Sequence, residues 1–258
     1  MSNFGLVSII TPSFNCANFI GETIDSILAQ TYQNWELLIT DDCSTDNSRE
    51  IISRYASKDP RIKLLNLAEN SGACIARNNS IKEAKGRFIA FCDSDDRWYP
   101  DKLEKQIEFM TSVGCAMTYT SYMTCNEAGE NTGIIVCRRK ETINSIKRDD
   151  KIGCLTVMYD VEKVGKIFMP DIRKRQDWAF KIRVLSVCKV AYGMKEPLAL
   201  YRLRNNSLSN KKTSLIKYNI AVYHSVLRWS WVKSYLYFGF IFLPCYIIKR
   251  MSIKYINR

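Results

Sequence analysis

Four short apolar runs, each followed by a polar strand end and most by a stretch of helical periodicity, constrain this chain more than any other feature. Residues 7–10, 35–39, 62–67 and 88–91 each have the length and character of a buried strand. Between them, Ile20, Ile24, Ile27 and Leu28 recur at helical spacing. Ser44 or Asp46 can cap a helix carrying Ile51, Ile52 and Tyr55, and residues 73–84 predict a third helix. Strands alternating with helices imply βαβ units and a parallel sheet covered on both faces. In such open sheets, ligands bind beyond the carboxyl ends of the strands.

Each of those four strand ends carries different polar chemistry. They are Thr11-Pro12-Ser13-Phe14-Asn15, Asp41-Asp42, Asn70-Ser71-Gly72 and Asp93-Ser94-Asp95-Asp96. Three crowded carboxylates repel one another and call for positive charge; a divalent cation carrying a phosphate ligand suits such hard oxygens. The other reading of the acidic run is a solvated turn capping a helix that begins near Asp101. One nucleotide could engage all four ends. Phe14 offers a face for a base, Asp42 an acceptor for a ring N–H, and Arg77, early in the helix after Gly72, can reach phosphate. Taken singly, Asp41-Asp42 could be turn chemistry and Arg77 a surface cation.

Downstream, the pattern predicts a helix over 102–110, a strand near 115–121, a less regular stretch over 122–160 with a turn at 127–130, a helix over 177–187 and a strand over 198–201. The ten cysteines are scattered without a C-x-x-C pair and His224 is the only histidine. That excludes the usual zinc patterns and suggests reduced core thiols of a cytosolic protein. The amino terminus has no signal-peptide character.

Charge is unevenly spread. The net +12 combines 13 acidic against 10 basic residues in the first hundred with a strong basic excess thereafter, and no acidic residue follows Glu196. An anionic partner is expected: nucleic acid, an anionic membrane surface or a diphosphate. Residues 235–248 are almost wholly apolar but too short to span a bilayer comfortably. With Trp229, Trp231, Tyr235, Tyr237 and the following Lys249-Arg250, they suit a helix lying in the membrane interface. A core helix packing on the domain is the alternative.

The segments VSIITPSFN, ITDDCSTDNS, NSGACIARN and FIAFCDSDD closely resemble the family 2 inverting glycosyltransferases of GT-A fold, over roughly residues 5–205. Among these, the chain looks most like bacterial O-antigen and teichuronic acid transferases, and in particular β-1,3-glucosyltransferases acting on N-acetylglucosaminyl-diphospho-undecaprenol. The resemblance implies a Rossmann-like, mostly parallel α/β sheet flanked by helices. It implies a domain over 1–212, with a nucleotide-binding half (1–110) and an acceptor half (111–212), followed by an aromatic, basic helical tail over 213–258. Thr11, Pro12 and Phe14 would line the uridine pocket and Asp42 would bond the uracil, with Arg77 and Asp93 also on the donor nucleotide. Asp95 and Asp96 would hold Mn²⁺ or Mg²⁺ beside a UDP-sugar, and Asp177 would be the catalytic base, unless it merely caps its helix. Arg202 and Arg204, with Lys211 or Lys212, are candidates to clamp the diphosphate. Gln176 replaces the acid common before that Asp, and Arg204 replaces a frequent His. Absence of Q-x-x-R-W argues for single-sugar addition.

The implied partners are a UDP-sugar, a lipid-diphosphate-linked sugar and the inner-membrane surface, with no nucleic acid, at the cytoplasmic face of a bacterial inner membrane. Rivals fare worse. The turn after the first strand lacks G-x-G-x-x-G, which weakens a dinucleotide-dependent oxidoreductase. A D-x-D phosphatase expects its Asp where Thr11-Pro12 stand. A basic nucleic-acid-binding or membrane-adaptor protein remains the non-enzymatic alternative.

Overall fold

The computed structural model describes residues 4–204 and 215–247. Strands β1 (Val7–Ser13), β2 (Trp35–Asp41), β3 (Ile62–Asn66) and β4 (Phe88–Phe91) alternate with helices α1 (Ile20–Leu28), α2 (Ser48–Ala56) and α3 (Ala73–Glu83). These strands lie parallel in the order β3-β2-β1-β4, with Val7 beside Trp35 and Phe88.

Because side chains alternate along a strand, each apolar run feeds two cores. Ile9, Leu37, Ile39 and Ala90 face one side of the sheet and pack with Ile20, Ile24, Leu103 and Ile107. Ile10, Leu38, Ile89 and Phe91 face the other and pack with Ile81 and Phe180. That two-sided burial is why these runs read as continuously apolar.

The second half departs from the simple alternation. After β5 (Arg97–Trp98) and α4 (Lys102–Val113) come β6 (Met117–Cys125), β7 (Asn131–Ile135), β8 (Lys140–Thr142), α5 (Ile143–Ile146), β9 (Met158–Asp160), α6 (Val161–Val164), α7 (Gln176–Cys188) and β10 (Val190–Arg202). Three short strands thus occupy the stretch expected to be irregular. Strand β9 is wedged antiparallel between β4 and β6, and β10 runs parallel to β6. The sheet is therefore parallel through its nucleotide-side half and mixed beyond it. Strand β10 is far longer than the expected 198–201, because Pro197 and Glu196 sit at a register shift that the apolar pattern conceals.

Helices α8 (Leu215–Leu227) and α9 (Trp231–Tyr237) follow, the latter continuing through a π-helical stretch, Phe238–Phe242. Ile220, Val222, Tyr223 and Phe238 join the core around α7. The outer side of α9 leaves Trp231, Val232, Tyr235, Leu236 and Phe240 between 52% and 75% exposed. The helix thus packs on the domain and presents an apolar face at once. No described helix is long and apolar enough to cross a membrane. Lys211, Lys212, Lys249, Arg250 and the expected boundary at 212/213 lie outside the described residues. All ten cysteines are free.

Candidate active site

Two hollows open at the carboxyl edge of the parallel strands and share a wall. The first, about 460 Å³, is bordered by Pro12 and Phe14 after β1, Asp42 after β2, Ala73 and Arg77 of α3, Asp93 and Asp95 after β4, and Arg204 after β10. The second, about 390 Å³, has Asp150, Cys154, Asp177 and Tyr122 in its wall. Ala73, Arg77, Asp93 and Tyr201 line both.

Four loops build the first hollow, and buried aspartates fix them. Asp41, fully buried, accepts hydrogen bonds from Ser13 Oγ (3.1 Å), Ser44 N (2.9 Å) and Arg49 Nε (2.6 Å), which ties the β1 and β2 loops together. Asp42 accepts from the backbone N–H groups of Ser71 (2.6 Å) and Gly72 (2.8 Å). Gly72 has φ +89°, a conformation costly for side-chain-bearing residues, so this clasp favours glycine there. The clasp aims the amino end of α3 at the hollow, where unpaired N–H groups and the helix dipole favour an anion. Phe14 stands 47% exposed at the rim, free to stack.

Thr11 does not reach this hollow. It is fully buried inside β1 and its Oγ1 has no hydrogen-bond partner. The strand extends to Ser13, two residues past the apolar run, so the wall begins at Pro12 and takes Ser13 and Asn15 with it.

The three carboxylates of the acidic run have separate partners. Asp93 receives a 2.6 Å bond from Arg77 Nη2. Burial works against the Arg77 cation, but Asp93 more than offsets this and holds its pKa above the ordinary value. Asp95 lies 3.3 Å from Arg204 Nη1. Burial and then Asp93 push its carboxyl up, against Arg204. Asp96 is 1% exposed; Oδ1 accepts from Arg202 N at 3.0 Å, and Oδ2 has no partner. Burial, then Asp95 and Asp93, push Asp96 well up. These pairings rule against the alternative of a solvated helix cap.

Hard-oxygen donors for a cation are therefore Asp95, at the first hollow, and its neighbour Asp96, which lines the second and whose Oδ2 has no partner. No cluster of three or more potential metal ligands exists among the described residues. That set fits Mg²⁺ or Mn²⁺, which commonly take one or two carboxylates and complete their shell with phosphate and water.

Arg202 lines the first hollow beside Arg204 but is held by several partners of its own. Its guanidinium, 1% exposed, donates to Glu22 Oε2 (2.6 Å), Glu127 O (2.7 Å) and Asp95 O (3.0 Å). Arg204, one-third exposed and 5.0 Å from the Phe19 ring, keeps access to the hollow.

In the second hollow, Asp177 lies in the first turn of α7, one residue past Gln176, while Arg175 takes the N-cap position with φ +67°. Asp177 is therefore not a cap. Lys181, one helical turn on and 1% exposed, donates to Asp177 Oδ2 (3.2 Å), Asp150 Oδ2 (2.6 Å) and Ile152 O (2.5 Å). Burial alone would raise the Asp177 carboxyl, but Lys181 and then Arg77 hold it below the usual carboxylate range. Asp177 is 40% open to the hollow, an ionised carboxylate able to take a proton. Sequence reasoning missed Asp150, Lys181, Tyr122, Arg173 and Lys174. Only the i,i+4 spacing of Asp177 and Lys181 could have signalled one of them.

The glycosyl transferase family 2 model matches residues 8–160. The chain belongs to glycosyltransferase family 2. It is 45% identical over 230 residues, covering 89% of this chain and 91% of the relative, to TuaG of Bacillus subtilis (strain 168), a glycosyltransferase assigned to teichuronic acid biosynthesis. It is 39% identical over 213 residues, 82% of this chain and 83% of the relative, to WfgD of Escherichia coli. That protein is named as a UDP-Glc:α-D-GlcNAc-diphosphoundecaprenol β-1,3-glucosyltransferase. Among solved structures, Staphylococcus aureus TarS (residues 1–349) with UDP-GlcNAc superposes with TM-score 0.70 at 19% identity, covering 91% of this chain and 73% of that one. A mannosyltransferase of Pyrobaculum calidifontis, solved with GDP-Man and Mn²⁺, gives 0.65 at 15% identity, covering 93% and 71%. The architecture is GT-A, as the sequence resemblance implied.

Proposed function

We propose that this glycosyltransferase moves a single hexose, glucose in β-1,3 linkage, from its UDP-sugar to N-acetylglucosaminyl-diphospho-undecaprenol with inversion. The setting is surface-polysaccharide (O-antigen) assembly at the cytoplasmic face of a bacterial inner membrane. The donor and acceptor choice is supported by the name of WfgD and the assignment of TuaG. One observation supports the reaction type: a hollow rimmed by Phe14, Asp42 and Asp95 and a hollow holding the Asp177 carboxylate meet across Arg77, Asp93 and Tyr201.

Uracil stacks on Phe14 and is bonded at Asp42, the diphosphate lies between α3 and Arg204, and the sugar reaches the shared wall. Asp95, with its neighbour Asp96, would hold Mn²⁺ or Mg²⁺, which neutralises charge on a departing diphosphate. The acceptor enters past Tyr122 and Tyr201. Asp177 takes the proton of its attacking hydroxyl as the new bond forms at the anomeric carbon, opposite the diphosphate. The bond from that carbon to the diphosphate breaks, UDP departs, and an α-linked donor becomes a β-glycoside. Arg77 and Arg204 stabilise the developing charge. The nucleotide half (1–110) and acceptor half (111–212) co-operate here, since Tyr201 and Arg204 close a hollow that the first half begins. The tail over 213–258 brings the apolar side of α9 to the membrane surface.

The test is transfer by purified full chain with Mn²⁺, a synthetic N-acetylglucosaminyl-diphospho-lipid and a panel of UDP-sugars, with product linkage read by NMR. Glucose transfer to O3 with inversion is the expected result. Selective use of UDP-galactose, or another linkage, replaces the donor or linkage assignment. No transfer to any lipid-linked sugar sinks the reaction.

A further inference from the structure

Three consecutive cations, Arg173, Lys174 and Arg175, stand in the wall of the hollow that contains Asp177, and the nucleotide hollow does not include them. The carboxylates deeper in that wall already have cations. Asp93 pairs with Arg77, while Asp150 and Asp177 share Lys181. Among the described residues, no carboxylate forms an ion pair with Arg173 or Arg175. Arg175 Nε and Gln176 Oε1 are both buried without a hydrogen-bond partner. Arg175 also holds a left-handed backbone conformation, φ +67°, costly for a residue other than glycine. The segment thus concentrates positive charge and unsatisfied polar atoms beside the base.

Its other neighbour is apolar. Trp178, directly after Asp177, meets Tyr223 edge-on at 5.5 Å between ring centroids and Phe242 at 5.9 Å. The helical segment bearing Phe242 therefore packs against the start of α7. The hollow thus joins a carboxylate base to cations, and the helical segment packed against Trp178 carries exposed aromatics and aliphatics elsewhere on its surface. A molecule complementary to that combination has a sugar hydroxyl, a diphosphate and a hydrocarbon chain.

We propose that Arg173 and Arg175 form the binding site for the diphosphate of a lipid-linked acceptor, separate from the site for the donor's diphosphate. The proposal presupposes the sugar transfer proposed above. Arg173 and Arg175 grip the phosphate oxygens, placing the terminal sugar at Asp177 and directing the lipid along α9. Cation placement thereby selects a diphosphate acceptor over a neutral glycoside of the same sugar.

The test compares three acceptors bearing the same terminal sugar on a short, water-soluble alkyl chain: the diphosphate, the monophosphate and the neutral glycoside. Transfer kinetics and donor-free calorimetry are run on full-length wild type, Arg173→Gln and the Arg173→Gln/Arg175→Gln pair. UDP binding serves as the check on folding. The double variant is expected to weaken the diphosphate acceptor roughly 10- to 100-fold in KM and Kd. Its KM for the UDP-sugar and its turnover of the neutral glycoside should stay within about twofold of wild type. Exposed Arg173 changed alone should give part of that loss with an intact fold.

Unchanged affinity for the diphosphate acceptor overturns the site, as does an equal loss on all three acceptors. Vesicles of anionic lipid without acceptor form a further arm. If the variants lose only vesicle binding, the cations serve bilayer headgroups and the proposal falls. A wild type that binds the diphosphate compound through these arginines, yet transfers no sugar to it, keeps the site and overturns the reaction instead.

Discussion

Changing Lys181 to methionine keeps the length of the side chain and removes the one cation shared by Asp150 and Asp177. Lys181 is 1% exposed, so its loss strands the largely buried Asp150, while Asp177, 40% exposed, keeps partial solvation. Removing one partner of a buried pair costs about 3–5 kcal/mol. For a domain of this size each kcal/mol lowers Tm by about 2–4 °C, so a fall of roughly 6–20 °C is expected. Asp150, which burial already pushes up, can take a proton and soften the loss. The Tm deficit should therefore be largest at neutral pH and narrow as pH falls, because protonation neutralises the stranded carboxylates.

The catalytic consequence has a definite sign. In the wild type, Lys181 outweighs burial and holds the Asp177 carboxyl below its ordinary pKa. The base is then fully ionised at neutral pH, and kcat/KM declines only as pH falls through that depressed value. In Lys181→Met, burial and Asp150 remain, and both raise the carboxyl. The acid limb of the pH–rate profile must move up. Asp150→Asn is the control, since it leaves Lys181 entirely to Asp177 and removes a like charge, so its acid limb should stay or move down. The assay is kcat/KM against pH for the three proteins, with UDP binding confirming the fold. A folded Lys181→Met enzyme whose acid limb does not move would refute the role of Asp177, of Lys181, or of both; an upward shift in Asp150→Asn would refute the charge accounting.

The nucleotide side yields three further expectations. Asp95→Ala should abolish the thermal stabilisation given by UDP with Mn²⁺, and chelation of the wild type should do the same; full stabilisation in either case removes Asp95 from the metal site. Phe14→Ala, at an exposed rim position, should weaken UDP by about 1–3 kcal/mol, the worth of one base stacked on an aromatic ring, with little change in Tm. Arg202→Gln and Arg204→Gln should separate scaffold from clamp. The first breaks a pair with Glu22, itself 46% exposed, and two bonds to backbone carbonyls, and lowers stability by about 1–3 kcal/mol. The second leaves Tm nearly unchanged but weakens UDP by about 1.5–3 kcal/mol, and calorimetry with thermal unfolding would expose the reverse assignment.

The nucleotide-side architecture was legible because its strands are buried on both faces and its helices are amphipathic. Periodicity then reports element type directly, and the four polar strand ends do converge. What stayed hidden was set by tertiary geometry. Strand β9 is three residues long, and its place between β4 and β6 depends on pairing that no local pattern announces. Arg202 and Arg204 are two residues apart and chemically identical in sequence. Both line the hollow, but strand β10 ties Arg202 to Glu22 and leaves Arg204 one-third exposed. Thr11 was misplaced for a related reason: β1 continues through Pro12 and Ser13, so the loop starts later than the apolar run suggests. Asp150 lies 27 positions before Asp177, and only folding places both on Lys181.

The distribution of charge explains why two hollows can operate on a highly anionic donor without mutual repulsion. Asp93 is neutralised by Arg77, Asp95 faces Arg204, and Asp177 faces Lys181. Arg77 and Arg204 differ in burial, and that difference divides their tasks. Arg77, 10% exposed and paired at 2.6 Å, is fixed in the shared wall, where it lowers the Asp177 carboxyl from one side and borders the Phe14–Asp95 hollow on the other. Arg204, at 3.3 Å and one-third exposed, can exchange Asp95 for phosphate at little packing cost. In the proposed reaction the rigid cation would couple donor and base, while the loosely held one would follow the diphosphate. On that proposal, charge stabilisation falls on the nucleotide side and Asp177 keeps a clear approach to the acceptor.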